Sequence, residues 1–274
     1  MKIRLFIDSG AYSAWTRGKV IDIDEYIAYL HEIIATYPKA EILYANLDVI
    51  GEGAASYKNW NIMRAEGLHP LPIYHASTDI KWLKRYLQKV DHIGLGAIAN
   101  MSTPKRTWAL DRLWAEFLID DKQMPKVKVH GMGITSFPLM KRYPWHSIDS
   151  TSWLLVGAYG KVFLPRWRHG AWDFFAQPHV IAFSDDSPTR AQKGKHIDNV
   201  PPQVRRQLLD YLEFAGFKFG TNKKEKGSLV VVEEGVSNDH KKRVDLNAFF
   251  FAQFIQQLPY PRPFCVKRPK GLFT

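Results

Sequence analysis

Six short apolar runs within roughly the first 150 residues each end on Asp, His or Gly, and helical patterns alternate with them. A strand that is buried on both faces of a parallel sheet reads as a continuous apolar run. Strands that alternate with helices in this way predict an α/β fold with a parallel sheet. Polar residues at the ends of such strands are typical of the mouth of a TIM-like (β/α)8 barrel, which is the fold we expect.

A barrel of eight strands needs two more strands, and the candidates are residues 160–164 and 179–183. No helical pattern separates these two runs, so the barrel is expected to be irregular in its last third. An open, doubly wound sheet is the alternative fold, but no Gly-x-Gly-x-x-Gly turn follows the first strand to support it. We therefore expect a catalytic barrel over residues 1–189.

The sequence becomes more polar after Asp185, and residues 190–274 are expected to form a basic, mixed α/β appendage packed on the barrel. Lys223, Lys224 and Lys226 lie in a turn before a short β run, and the C-terminal tail is rich in Pro, Lys and Arg. These basic stretches are candidates for contacts with phosphate groups. A solvated basic face is the alternative interpretation.

The charge of the chain favours a polyanionic partner. The net charge is +11 and the isoelectric point is near 9.6, and lysine and arginine side chains bind phosphates with release of the surrounding counterions. An aromatic content of 14% adds side chains on which bases stack. We therefore expect a nucleic acid as the partner, while a basic charge that serves solubility alone is the alternative.

The sequence carries no recognisable targeting signal. No apolar stretch approaches the roughly 20 residues that span a bilayer, and the chain enters its first strand at once, so we expect neither a membrane span nor a signal peptide. A single cysteine, Cys265, leaves no internal disulfide and no zinc site built from several cysteines. We expect a cytoplasmic protein, located in the host cytoplasm if a phage encodes it.

Three carboxylates and two imidazoles stand at the predicted strand ends, namely Asp8, Asp48, Asp149, His75 and His130. Because the carboxyl ends of barrel strands converge on one mouth, we expect these side chains to surround one pocket. Several carboxylates around a pocket suit chemistry at the anomeric carbon of a sugar, where one attacks the carbon and another moves a proton to or from the leaving group. Neighbouring like charges raise one pKa, which suits the acid role.

These residues also have simpler interpretations. Asp8 could cap backbone amides in a turn, and each histidine could be a structural hydrogen-bonding group. A metal site would use the same residue types, but no His-x-His pair or other tight ligand spacing is present. We therefore expect neither a metal nor another cofactor.

The order of the strand-end motifs resembles that of the guanine transglycosylases, the family of the queuine and archaeosine tRNA-guanine transglycosylases, which exchange a guanine in nucleic acid for a 7-deazaguanine. The resemblance covers residues 6–153, a little over half of the chain. Asp-Ser-Gly-Ala-Tyr at residues 8–12 is similar to the family's Asp-Ser-Gly-Gly-Tyr/Phe strand end. Leu-Asp at 47–48, Ile-Gly-Leu-Gly-Ala at 93–97 and Ser-Ile-Asp-Ser at 147–150 are similar to three later motifs.

The resemblance implies a role for each of these residues. Asp149 would be the nucleophile that attacks C1′ of the nucleoside, and Asp8 would handle protons on the leaving or entering base. Asp48 would hydrogen-bond the Watson–Crick edge of that base. The other residues implied to bind the base are Ser9, Tyr12, His75, Gly94 and Gly96. Tyr12 would stack on the base, the two glycines would grip it through their backbone, and His130 would support the site.

Three departures from the family pattern indicate a divergent relative. The single cysteine cannot build the zinc site of the tRNA enzymes, His75 stands about where the family often has a glutamine, and the chain begins almost at the first motif. The resemblance is therefore greatest to the phage and bacterial enzymes that place a preQ0-like 7-deazaguanine in DNA. The same exchange on tRNA is the first alternative. A hydrolytic nucleic-acid glycosylase and a non-catalytic nucleic-acid-binding barrel are the others, and the oligomeric state stays open.

Overall fold

The computed structural model of the protein describes residues 4–96, 102–225 and 228–265. Some of the features predicted from the sequence lie outside these described residues, namely Ala97 of the glycine-rich motif, Lys226, and the tail beyond Cys265. The roles expected for them therefore stay predictions.

Two compact units make up the chain. The first unit comprises Met1–Asp149 and Tyr260–Thr274, and the second comprises Ser150–Pro259. The boundary predicted between a barrel and an appendage, after residue 189, falls inside the second unit. All of the strand-end residues predicted to form the site belong to the first unit.

Six parallel strands form the framework of the first unit. In chain order they are β1 (Arg4–Ile7), β2 (Glu41–Tyr44), β3 (Ile73–His75), β4 (His92–Gly96), β5 (Lys128–Gly131) and β6 (Ser147–Ile148). β1 pairs with β2, and β3 to β6 pair in sequence order, all in parallel. A parallel bridge between Ala45 and Leu71 joins the two groups. The carboxyl ends of these strands therefore lie at one edge, where the predicted site residues follow them.

Helices connect the strands of the first unit. They are α1 (Ala11–Thr16), α2 (Ile23–Thr36), α3 (Gly53–Ala65), α4 (Ile80–Leu87), α5 (Thr103–Leu113, extended by a π-helical turn over Trp114–Leu118) and α6 (Phe137–Arg142). α2 begins where it does because the Asp22 carboxylate accepts hydrogen bonds from the backbone N–H groups of Asp24 at 2.8 Å and Glu25 at 3.1 Å. A side chain at this position satisfies donors that have no partner within the helix.

Apolar side chains at helical spacing hold α2 and α3 against the first strands. Tyr26, Ile27 and Leu30 of α2 are buried, and they share one cluster with Met63 of α3 and Tyr44 of β2. Burial of one such aliphatic side chain stabilises the fold by about 1.5–3 kcal/mol. The position of the β2 end, from which the chain runs on to Asp48, is therefore fixed by a packed core.

The two strands predicted to close the barrel lie in the second unit and pair with each other. β7 (Lys161–Leu164) and β10 (His179–Ala182) run antiparallel. The chain between them forms a hairpin of β8 (Arg166–Arg168) and β9 (Ala171–Asp173). Neighbouring parallel strands need a long crossover, usually a helix, which this hairpin does not supply. The expectation of two further parallel strands is thus wrong for this pair, and the eight-stranded barrel stays a prediction.

Helices and a second hairpin complete the second unit. These elements are α7 (Ser152–Ala158), a 3-10 turn (Ile197–Asn199), α8 (Pro202–Ala215), β11 (Thr221–Glu225), β12 (Ser228–Glu233) and α9 (His240–Gln256). α9 packs on β7, where the Phe250 and Phe163 ring centroids lie 5.8 Å apart and the Asn247 side chain accepts a hydrogen bond from the Phe163 N–H at 2.8 Å. Within the described ranges, the helices are too short or too polar to cross a membrane.

Candidate active site

Asp8 lies close enough to Asp48 and to Asp149 for their charges to act on it. Asp8 directly follows β1, Asp149 directly follows β6, and Asp48 stands four residues beyond the end of β2. The pKa of Asp8 is raised, first because its carboxylate is desolvated and then because Asp48 and Asp149 repel its negative charge. Hydrogen bonds from the backbone N–H groups of Ser9 and Gly10 offset part of this rise. Asp8 still counts among the exposed residues, so a proton that it holds can be exchanged.

Asp48 is a carboxylate that is only 8% exposed and that two side chains hold in place. The Ser9 hydroxyl donates to Asp48 Oδ1 at 2.8 Å, and His75 Nε2 lies 2.7 Å from Asp48 Oδ2. The backbone N–H of Gly51 donates to His75 Nδ1 at 3.2 Å, so this nitrogen is an acceptor and the ring proton is on Nε2. A neutral His75 therefore donates to Asp48, and both of its ring nitrogens are engaged within the protein.

Gly94 and Gly96, which were predicted to grip a base, pack against β3. A Cβ atom on Gly96 would lie 3.0 Å from both His75 Cδ2 and Ile73 Cγ2, and one on Gly94 would lie 2.3 Å from Ile73 Cδ1. A methyl group at Gly94 would push aside the end of the Ile73 side chain, and one at Gly96 would press on the His75 ring and on Ile73. The absence of side chains at these two positions of β4 thus gives Ile73 and His75 their space, while the grip of the glycine backbone on a base stays a prediction.

Asp149 is oriented through one of its oxygens. The backbone N–H of Gly133 donates to Asp149 Oδ1 at 2.8 Å, and His130 Nε2 lies 3.2 Å from the same atom. The Ser147 hydroxyl lies 2.8 Å from His130 Nδ1, so the buried imidazole connects β5 with β6. The Asp149 side chain nevertheless remains 40% exposed. A fixed carboxylate that solvent can reach is suited to attack a bound electrophile.

A cavity of about 440 Å³ lies beside Asp48, and Trp15 and Lys19 are among its lining residues. Pockets for small molecules have roughly this size, about 300–1,000 Å³. Trp15 and Tyr12 stand three residues apart on α1, with 53% and 45% of their surfaces exposed and ring centroids 6.0 Å apart. Tyr12 belongs to the first motif, whereas Trp15 and Lys19 are additional candidates. Helical spacing from Tyr12 is the sequence signal that points to Trp15.

A second cavity, of about 530 Å³, reaches Asp149. Phe6 and His130 line it with their rings in contact, at a centroid distance of 4.4 Å. The cavity extends to His92 and His146, and burial is the main cause that lowers the pKa of both imidazoles, to about 4 for His92. These two side chains are therefore neutral at physiological pH.

The expectation that the protein holds no metal stays a prediction. Over residues 4–96, 102–225 and 228–265, no group of three or more His, Cys, Asp and Glu side chains is placed to hold a metal ion. The imidazole nitrogens of His75 and His130 that face carboxylates instead form hydrogen bonds with them.

Comparison of the chain with protein-family models, with curated proteins and with solved structures found no match. The geometry of the strand-end residues and the resemblance of their motifs are therefore what support a function.

Proposed function

We propose that the protein is a pentosyltransferase of the guanine transglycosylase kind, which replaces guanine in DNA with a preQ0-like 7-deazaguanine. The proposal depends on one observation, the proximity of Asp8 to the other two strand-end carboxylates: burial first, and then the negative charges of Asp48 and Asp149, raise the pKa of Asp8. Enzymes that act at an anomeric carbon through a covalent intermediate need one carboxylate that attacks and one carboxyl group that carries a proton. Asp149 and Asp8 are assigned to these two roles.

Asp149 acts as the nucleophile in this proposal. Its Oδ1 accepts the hydrogen bonds from Gly133 and His130, so Oδ2 is the oxygen assigned to attack C1′ of the target guanosine. A bond forms between Oδ2 and C1′ while the bond between C1′ and N9 breaks, and its electron pair leaves with the base. The sugar is then held covalently on the protein.

Asp8 acts first as an acid and then as a base. Its raised pKa favours the protonated form that guanine needs in order to leave as a neutral base. The entering 7-deazaguanine returns a proton to Asp8 as its ring nitrogen attacks C1′ and the bond to Asp149 breaks. Two successive inversions restore the configuration at C1′, and the exchange consumes no proton, electron or cofactor.

Asp48 and its cavity bind the base. Each carboxylate oxygen offers two acceptor sites, and Ser9 and His75 occupy one site on each oxygen. The remaining sites suit the N1–H and the exocyclic amine of guanine, which donate side by side. Trp15 lines the same cavity, and stacking on an aromatic ring contributes about 1–3 kcal/mol per base. Extrusion of a base from a duplex costs roughly a few kcal/mol. Stacking on Trp15 would offset part of that cost.

The net charge of +11 supports a nucleic acid as the molecule that carries the target base. The choice of DNA over tRNA rests on the motif resemblance. We also propose a TIM-like barrel as the fold to which the six parallel strands belong, and the cytoplasm, or the host cytoplasm for a phage protein, as the location.

The test is incorporation of a labelled 7-deazaguanine into purified DNA and tRNA, followed by mass spectrometry of the nucleosides. We expect label in DNA with the wild-type protein and no label with Asp149→Asn. Label in tRNA alone would replace DNA by tRNA as the substrate. Abasic sites without label would indicate a hydrolytic glycosylase, and nucleic-acid binding without either reaction would indicate a non-catalytic protein.

A further inference from the structure

We propose that the hairpin of β8 and β9, with the cavity beside it, binds an unpaired stretch of the DNA substrate. This inference rests on the proposed function, since it assigns to the second unit a surface for the same substrate. The hairpin lies entirely within the second unit and outside the residues that resemble the transglycosylase motifs.

The hairpin is tightly built and holds an aromatic ring at its surface. His169 and Gly170 at its tip have positive φ angles of 50° and 78°, as in a two-residue type I′ turn. Trp167 stands opposite Trp172 in the ladder, with ring centroids 4.9 Å apart in a T-shaped contact. Trp172 in turn contacts the buried ring of Tyr211 at 5.4 Å. A continuous series of ring contacts therefore anchors Trp167 to the core of its unit.

Trp167 is nevertheless 48% exposed. A tryptophan side chain has only two torsions. If one edge of its ring is already packed, the side chain loses little conformational entropy when a ligand covers the exposed face. Every base presents a π face, so a rigid indole binds bases with little regard to sequence. This combination of rigidity and exposure suits Trp167 to stack on an unpaired base.

Two arginines adjoin Trp167 in β8, and as its neighbours in the strand they project from the opposite face of the hairpin. The Arg168 side chain is 58% exposed, and its ion pair with Asp173 is long, at 3.7 Å. Arg166 lies beside His179, whose pKa is lowered first by burial and then by the charge of Arg166, so this imidazole adds no charge at neutral pH. Their long, charged side chains add positive charge to the hairpin, and a strand of DNA that passes over the hairpin edge can meet them with its phosphates.

A cavity of about 370 Å³ adjoins the hairpin. About half of its lining residues are aliphatic, and the remainder includes Arg166, Trp167, Trp172, Gln207 and Tyr211. Rings that stack on a base, together with a guanidinium and an amide that bond its edge, form a mixed surface of the kind that proteins use for splayed single strands. The arginines and the net charge of +11 favour an anionic polymer over an apolar peptide.

The experiment measures binding of a short fluorescent single-stranded DNA to the full-length protein by anisotropy. Trp167→Ala is expected to weaken binding by about 5- to 150-fold, the loss of one stacked base, while Trp167→Phe retains most of the affinity. Arg168→Ala is expected to reduce the slope of log affinity against log salt by about 0.7, the value for one phosphate contact on a single strand. Trp108→Ala is the matched control, because Trp108 is 66% exposed and also has an arginine, Arg112, 6.0 Å from its ring.

Unchanged affinity in a folded Trp167→Ala protein would overturn the inference, and so would an equal loss in Trp108→Ala. Tighter, Trp167-dependent binding of RNA of the same sequence would overturn the assignment of DNA. The Asp149→Asn protein separates this inference from the proposed function, since it is expected to bind DNA normally without exchange. If the wild-type protein bound DNA through Trp167 but catalysed no exchange, the proposed function alone would be refuted. If the protein exchanged bases but its binding of DNA did not depend on Trp167, the proposed hairpin surface alone would be refuted.

Discussion

The substitution Asp8→Asn is expected to stabilise the folded protein at neutral pH while it abolishes exchange. In the folded state the Asp8 carboxylate is desolvated and is repelled by Asp48 and Asp149, so its ionised form is disfavoured. An amide of the same size removes this repulsion. The N–H groups of Ser9 and Gly10 favour the charged form and therefore reduce the gain.

The magnitude follows from the link between pKa and stability. Each unit of difference between the folded and unfolded pKa corresponds to about 1.4 kcal/mol. Because Asp8 is exposed, screening by solvent reduces the effect, and we expect a gain of about 0.5–1 kcal/mol. For a chain of this size, such a gain raises Tm by about 1–4 °C.

The gain has a defined dependence on pH. The folded pKa of Asp8 lies above its unfolded value of 3.8, so the stabilisation that its bound proton provides is fully present below pH 3.8 and is lost as the pH rises through the folded pKa. The advantage of Asp8→Asn should therefore grow with pH and vanish in acid. Thermal unfolding of both proteins at a series of pH values measures this difference directly.

Asp79→Asn is the matched control for the sign of the effect. Hydrogen bonds from Lys81, first from its backbone and then from its side chain, lower the pKa of Asp79, so loss of this charge is expected to destabilise the protein at neutral pH. The reasoning about Asp8 would be refuted if Asp8→Asn melted below the wild-type protein at neutral pH. A difference in Tm that stayed constant across the pH series would refute it equally.

Three further substitutions test the site and its support. Asp149→Asn keeps a hydrogen-bond acceptor but removes the nucleophile, so labelled-base incorporation should fall below detection while Tm stays near the wild-type value; residual turnover would exclude the assigned role. Gly96→Ala places a Cβ atom against His75, and we expect a loss of about 1–3 kcal/mol in urea unfolding together with slower exchange per folded molecule. Gly94→Ala presses on β3 without meeting the imidazole, so comparable slowing in that variant would contradict the importance of His75. Asp22→Ala removes the cap of α2 and should cost about 1 kcal/mol in the same unfolding assay with exchange unaffected; equal stability would contradict the capping role.

The gathering of the acids could be predicted from the sequence because each strand end carries its own signal. A continuous apolar run that stops at a polar residue marks both a buried strand and its boundary, and Asp8 and Asp149 directly follow such boundaries. Parallel pairing in sequence order then brings these ends to one edge, whatever the detailed register. Strand order alone would leave β1 and β6 at opposite ends of the series, so the effect of Asp149 on Asp8, like the contact between the Phe6 and His130 rings, also requires the strands to curve back on one another.

The antiparallel pairing of β7 with β10 could not be predicted in the same way. Both segments are short apolar runs, and periodicity records neither the neighbour of a strand nor its direction. The deciding element is the tight hairpin between them, whose two-residue turn is His169-Gly170. Type I′ turns favour Asn or Gly at the first central position, so a histidine there hides the strongest local hairpin signal.

The packing of Gly94 and Gly96 against β3 could not be predicted from the sequence either, because it depends on atoms of a neighbouring strand. A glycine-rich strand is compatible with close approach of a ligand or of a side chain, and the sequence does not distinguish the two. Here the atoms that approach Gly96 belong to Ile73 and His75. The two glycines therefore indicated that other atoms come close to β4, and the three-dimensional arrangement shows that side chains of β3 are among them.

The two histidine–aspartate pairs differ in the protons that they can carry, and this difference separates base recognition from attack in the proposed mechanism. His75 Nδ1 accepts from a backbone N–H, which cannot itself accept, so the bond requires a neutral ring and leaves Asp48 with its full negative charge. A lasting negative charge is what two adjacent N–H donors of guanine need. His130 Nδ1 instead faces the Ser147 hydroxyl, which can either donate or accept. The charge of Asp149 disappears when its oxygen bonds to C1′. Rotation of the Ser147 O–H lets His130 keep a hydrogen bond at Nδ1 in either tautomer while the imidazole stays in place.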